Sequence, residues 1–204
     1  MISRRRFLAG SAGFAVAGGC SSGGGGGPGT DPDLDVAATA ARMERLAVDT
    51  YTSTRTSAVQ GRFGAAVPQA LVELMATAVG HHQECLNTWN RVLTAGRRGA
   101  VDAPDPRLRT LVDGATVRLT DIPAAATLVL RLEDYVSRTY LDALPTLKGE
   151  EVLRSAAQML VVDQQHQAVL RYILGLYPVG SGTRRDTTDF SPGGATPDLL
   201  LSTP

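Results

Sequence analysis

The stretch from Ala156 to His166 reads AAQMLVVDQQH and has the pattern of a helix with one apolar face. Its apolar residues Ala156, Met159 and Leu160 repeat at helical spacing, and Asp163 and His166 continue the same stripe. A carboxylate on the buried face of a helix is costly unless it is protonated, paired or bound to a metal. The stretch therefore predicts an amphipathic helix that carries a polar pair into a protein core.

Three other segments show the same pattern, in which polar residues interrupt an apolar helical stripe. The four predicted helices span residues 34–60, 68–95, 121–145 and 150–175. The polar residues within their stripes are Glu44, His82 with Cys85, Glu133, and Asp163 with His166. At roughly 1.5 Å per residue, partners on consecutive helices fall within about a turn of the same level. Scattered polar residues would not be expected to share a level, so the sequence predicts one buried polar site.

The lengths of the connections predict the topology. Short loops join the first helix to the second and the third to the fourth, so each pair is expected to form an antiparallel hairpin. Between the hairpins, residues 97–121 contain Pro104, Pro106 and a short apolar stretch around residues 108–112. The predicted fold is all-α, a four-helix bundle of two antiparallel hairpins joined by a long crossover.

Several of these segments resemble the bacterial ferritin-like domain family. Residues 43–51 are similar to its first-helix pattern L-E-x-L-x-x-x-x-Y, and residues 133–145 look like its third helix. Residues 81–85 lie where the family shows H-E-x-x-H, and residues 156–166 look like its A-x-x-I-L-x-V-E-x-x-H helix. The resemblance covers nearly all of residues 34–179. It implies a ferritin-like four-helix bundle and, in intact members, a dinuclear iron or manganese site.

The chain departs from the implied ligand set at three of its six positions. His82 replaces a bridging Glu, Cys85 replaces a His, and Asp163 replaces a Glu. Imidazole and thiolate do not supply the hard, bridging oxygen donors of a carboxylate. The six candidate ligands are Glu44, His82, Cys85, Glu133, Asp163 and His166. They could hold one iron, manganese or zinc ion, or form a metal-free network in which acids and histidines share protons.

Neighbouring side chains have more than one interpretation. Tyr51 and Tyr140 lie two turns along their helices from the acidic residues, and they either hydrogen-bond carboxylates or only fill the core. Cys85, taken alone, is expected to be a small core residue. His81 lies off the apolar stripe and is predicted to be at the surface.

The N-terminus carries an export signal. Residues 3–8 read SRRRFL, which has the S-R-R-x-F-L form of a twin-arginine signal with Arg4 and Arg5 as the arginine pair. The apolar run after it, up to Gly19, is too short to span a membrane well as a mature helix. We predict a signal peptide at residues 1–19 and export by twin-arginine translocation, which carries folded proteins.

Cys20 ends the sequence AGGC, which looks like a lipobox, and would become a lipid-modified first residue. Residues 20–33, rich in Ser and Gly, would then tether a bundle at residues 34–177 to the outer face of the cytoplasmic membrane. The alternative is cleavage after Ala17, which would give a secreted or periplasmic soluble protein. Residues 178–204 are predicted to be a flexible C-terminal tail.

Composition restricts the partners. The chain has 20 basic and 20 acidic residues, and loss of the signal peptide removes three arginines and no acid. The mature protein is therefore slightly acidic, which argues against nucleic acid as a partner. With Cys20 lipidated, Cys85 would be the last thiol, so no intramolecular disulfide is expected. The sequence leaves open whether the protein is a metal-binding or oxidoreductase-type protein acting on iron or reactive oxygen, or a non-catalytic structural or binding module. It identifies no protein partner, and it allows a homo-oligomer.

Overall fold

The structure, a computed structural model, describes residues 31–64 and 66–176. The predicted signal peptide, the predicted lipidation at Cys20 and the C-terminal tail lie outside the described residues. Among those residues all regular secondary structure is helical, without a β-strand. No helix in this part of the chain combines the length and the apolarity needed to cross a bilayer.

Five α-helices form the described chain. They are α1 (Pro32–Val59), α2 (Gln69–Ala95), α3 (Pro106–Thr116), α4 (Ile122–Ala143) and α5 (Glu150–Ile173). A short 3-10 turn, Leu144–Thr146, comes directly after α4. The four predicted long helices are confirmed to within a few residues at each end. The additional helix α3 lies within the crossover, where the sequence had suggested only a short apolar stretch.

Aspartates cap three of the five helices. Asp31, Asp105 and Asp121 cap α1, α3 and α4, and each accepts a hydrogen bond from a backbone N–H in the first turn. Helix α5 has no side-chain cap on its own segment. Instead the buried Asp33 of α1 accepts from the backbone N–H of Gly149 at 2.6 Å. This hydrogen bond connects the start of α1, in the first hairpin, with the start of α5, in the second.

The packing of the helices confirms two hairpins. Helix α1 packs most extensively against α2, and α4 packs against α5, while α1–α4 and α2–α5 contacts join the pairs. The apolar core consists of two clusters. The first cluster is formed by the N-terminal halves of α1 and α5 and the C-terminal halves of α2 and α4. The second is formed by the C-terminal halves of α1 and α5 and the N-terminal halves of α2 and α4. The polar residues of the predicted site therefore lie midway along the bundle, between two apolar layers.

Candidate metal centre

Four buried side chains converge at the middle of the bundle. His82 of α2, Glu133 of α4, and Asp163 and His166 of α5 each offer a ligand atom, and these atoms lie within 4.8 Å of one another. Glu133 and Asp163 have no exposed surface, and His166 is 4% exposed. The spacing of three residues places Asp163 and His166 on the same face of α5. The helical register of three elements therefore builds this cluster.

Glu133 is the most heavily bonded member of the cluster. Its Oε1 accepts from the hydroxyl of Tyr51 at 2.5 Å and lies 3.1 Å from Nε2 of His82 and 3.0 Å from Nδ1 of His166. A carboxylate can only accept, so both imidazole nitrogens donate to it. Burial alone would raise the pKa of Glu133, but the two histidines outweigh it and lower the pKa to about 2. Glu133 is therefore a stable carboxylate in the core.

His82 bridges two carboxylates. Its Nδ1 lies 2.7 Å from Oε2 of Glu44, while its Nε2 faces Glu133. Burial opposes the charged imidazole, but the two carboxylates hold the pKa of His82 well above its usual value. A ring that donates from both nitrogens is an imidazolium cation. At the position where the resemblance implies a bridging Glu, this chain therefore places a positive charge between Glu44 and Glu133.

Asp163 differs from the other two acids because it lacks hydrogen-bond partners. Both of its carboxylate oxygens are buried without a partner among the described residues, and so is Oε2 of Glu133. Burial is the largest cause that raises the pKa of Asp163 well above its usual value, and the charges of Glu133 and Glu44 add to it. A buried polar atom without a partner is costly, so these three oxygens require a proton or a cation. They fit a bound metal ion.

The two other sequence-predicted ligands are buried nearby but are not among the four converging residues. Glu44 is bonded to His82 and also accepts from the hydroxyl of Tyr140 at 2.5 Å. Cys85 belongs to one of the apolar clusters. Burial raises the pKa of the Cys85 thiol well above its usual value, whereas metal binding requires the thiolate. Its surroundings are those of a core residue.

Comparison with known proteins supports the same fold. A family model described as the ferritin-like domain matches residues 32–176, which is the whole described bundle. The chain belongs to this family. The resemblance found in the sequence is thereby confirmed, whereas characterised proteins and solved structures give no match. Within the ferritin-like bundle of this chain, the converging atoms are nitrogen and oxygen donors, a set that suits zinc, iron or manganese.

Three side chains around the ferritin-like site take roles that the sequence left open or missed. Tyr51 and Tyr140 hydrogen-bond carboxylates and are also core residues. His81 was expected at the surface but is half-buried, with Nδ1 3.0 Å from Nε2 of His166. The apolar periodicity of α2 gives no signal for this contact, because it depends on how α5 packs against α2. His81 thus extends the polar cluster from the core towards solvent.

Proposed function

We propose that this chain is an exported, membrane-tethered ferritin-like protein whose altered central site binds one transition-metal ion. The carboxylate of Asp163 is the observation that supports metal binding most strongly. Both of its oxygens and Oε2 of Glu133 are buried without partners in the part of the chain that the structure describes, beside two histidines. A single cation would satisfy all three oxygens at once, whereas a single proton on Asp163 pairs at most two of the three.

The ligand chemistry favours one ion rather than two. A dinuclear centre needs carboxylates that bridge the two metals, which lie about 3.5–4 Å apart. His82 cannot bridge in that way, and Glu44 is already bonded to His82 and Tyr140. The remaining nitrogen and oxygen donors suit iron, manganese or zinc.

Three side chains would bind the ion, and a fourth would position one of the ligands. Asp163 and Glu133 would supply oxygen ligands and His166 a nitrogen ligand, while the hydroxyl of Tyr51 holds Glu133 in position. Zinc would supply a Lewis acid, and iron or manganese would add one-electron chemistry. The full burial of Glu133 and Asp163 keeps bulk water away from these ligands.

The envelope location is supported by the sequence. Arg4 and Arg5 fit a twin-arginine signal, and Cys20 ends a lipobox-like sequence. Export in the folded state suits a centre this deeply buried, since a metal inserted before folding is complete would travel with the protein. The lipid on Cys20 would then hold the bundle at the outer face of the cytoplasmic membrane.

Metal analysis of the natively exported protein tests this proposal. Asp163→Asn keeps the size of the side chain and removes its charge, and Glu151→Gln is a matched change at an exposed position of the same helix. We expect one ion per chain in the wild type and in Glu151→Gln, and little iron or manganese in Asp163→Asn. A wild type that stays metal-free after loading with iron, manganese and zinc would refute metal binding, as would equal iron and manganese content in Asp163→Asn.

A second function is favoured by the network around Glu44. His82, Tyr51 and Tyr140 satisfy Glu44 and one oxygen of Glu133 without any metal. A neutral Asp163, consistent with its raised pKa, would remove the unpaired charge from a metal-free core. The chain would then be a non-catalytic structural or binding module that kept the bundle and lost the metal chemistry. In that case Asp163→Asn should leave stability unchanged or raise it, and no metal should raise the melting temperature of the wild type.

A further inference from the structure

We propose a second metal site at the edge of the bundle, formed by His81 of α2 and His166 of α5. Nδ1 of His81 lies 3.0 Å from Nε2 of His166, and the two rings are within 10° of parallel. His81 is half-buried, so the pair connects solvent with the buried cluster. The ligands are imidazoles, and the site would therefore take zinc, copper or nickel in the divalent state.

The separation of the two nitrogens matches a chelate. Two imidazoles bound to zinc at about 2.0–2.1 Å, with an angle of about 95–110° at the metal, have nitrogens roughly 3.0–3.4 Å apart. Without an ion, the observed 3.0 Å is that of a hydrogen bond in which Nδ1–H of His81 donates to Nε2 of His166, and a bound ion would take the place of that hydrogen. Glu84, three residues after His81 and exposed, lies on the same side of α2 and can offer a carboxylate.

Glu133 fixes the form of His166 that this outer site needs. Its Oε1 accepts from Nδ1 of His166 at 3.0 Å, so Nδ1 carries the hydrogen. In a neutral imidazole the lone pair is then on Nε2, the nitrogen that faces His81. A carboxylate behind a ligating histidine is the usual arrangement that orients the ring and strengthens the ligand. The carboxylate of the central cluster thus leaves Nε2 of His166 free to bind a cation at the outer site.

His166 couples the two sites. A neutral imidazole has one lone pair, so His166 binds a cation through Nε2 at the outer site or through Nδ1 at the centre, but not both. A cation held by His81 and His166 would reach the centre only after His166 changes tautomer. The outer site would therefore bind an incoming cation first, and it is available only while no ion holds Nδ1 of His166 at the centre. It does not require that the central site ever binds metal.

Zinc titration of the full-length mature protein tests the outer site. Asp163→Asn disables the central site, and zinc chloride should still bind this variant by calorimetry. His81→Phe, added to it, keeps a ring to stack on His166 and removes the ligand nitrogen. We expect zinc affinity to fall by at least about tenfold, the smallest loss typical of even an outer-shell partner. Should the phenylalanine lower the helicity, His81→Gln replaces it.

Nitrogen NMR locates the ion. The chain has three histidines, so the imidazole ¹⁵N resonances are few and assignable. Zinc added to Asp163→Asn should shift Nε2 of His166 and Nδ1 of His81, while Nδ1 of His166 stays protonated. Unchanged affinity after loss of His81, or a zinc-induced shift at Nδ1 of His166 in place of Nε2, would overturn the outer site. Neither result would contradict a metal at the centre, which Asp163 tests.

Discussion

Tyr51 and Tyr140 form reciprocal hydrogen bonds between α1 and α4 at the middle of the bundle. Tyr51 of α1 donates to Glu133 of α4, and Tyr140 of α4 donates to Glu44 of α1, both at 2.5 Å. Burial, together with the neighbouring carboxylates, raises the pKa of both tyrosines well above the usual value, so each remains a donor. Because α1 and α4 belong to different hairpins, these two hydrogen bonds join the hairpins through the polar site itself.

Loss of one of these hydroxyls should therefore destabilise the fold. Tyr140 accepts from Nε1 of Trp89 at 2.8 Å as well as donating to Glu44. Tyr140→Phe leaves both buried groups short of a partner, and we expect a loss of about 1–3 kcal/mol in the free energy of unfolding. Urea denaturation measures it, with the half-buried Tyr135→Phe on the same helix as the control. Equal losses in the two variants would show that the hydroxyl network contributes nothing specific.

The metal-free protein should be most stable in weakly acidic solution. The raised pKa of His82 contributes stability that is complete below its unfolded value, near 6.5, and is lost as pH rises through the folded value. The raised pKa of Asp163 acts in the same direction from its ordinary value of 3.8 upwards. The pKa of Glu133, lowered from 4.5 to about 2, contributes stability that is lost only as pH falls through that range.

Melting temperatures between about pH 5 and pH 9 measure this dependence, because the raised pKa of His82 acts above its unfolded value. We expect the metal-free protein to lose stability as pH rises, and His82→Gln to flatten the slope. A metal ion needs an ionised Asp163, so the stabilisation that it adds should increase with pH. A metal-free melting temperature that rises steadily over this range would contradict the assignment of His82 as a buried cation.

The family ligand set should be recoverable by substitution. The triple change His82→Glu, Cys85→His and Asp163→Glu restores the three ligands that this chain lacks relative to the pattern it resembles. We expect iron or manganese content to rise towards two ions per chain, because a bridging carboxylate returns in place of an imidazolium. Elemental analysis measures the gain, with Cys85→His alone as the control. A triple variant that binds no more metal than the control would show that the backbone, and not the ligand set, limits the site.

Export and anchoring depend on residues at the N-terminus. Arg4→Lys together with Arg5→Lys should stop export, which fractionation and immunoblotting would show. Cys20→Ala should move the exported protein from the detergent phase to the soluble fraction, because the acyl chains would be lost. A soluble wild-type protein beginning at Gly18 would establish cleavage after Ala17 instead.

Helical periodicity in the sequence predicted which polar residues enter the core, but not how their side chains pack there. Glu44, Glu133, Asp163 and His166 could be placed in the core because each continues an apolar stripe of its own helix. Counting residues from the loops also placed them near one level. That Glu44 finds partners and Asp163 finds none among the described residues depends on ring and carboxylate directions across four helices, which no local pattern encodes.

Two further differences between the sequence predictions and the structure have physical reasons. The contact between His81 and His166 joins residues 85 positions apart, and it forms because α2 and α5 approach each other there. Helix α3 has only 11 residues and lies in a crossover, where apolar periodicity is short. In the structure Asp105 caps α3 directly before Pro106, which lies in the first turn of the helix.

X-ray absorption at the metal edge of the loaded wild-type protein tests the central claim most directly. The proposed centre predicts one ion per chain, a first shell of nitrogen and oxygen that includes imidazole, and no sulfur, because Cys85 is a neutral core thiol. Failure of the protein to retain any ion would contradict the claim. So would a sulfur ligand at about 2.3 Å or a second metal at about 3.5–4 Å.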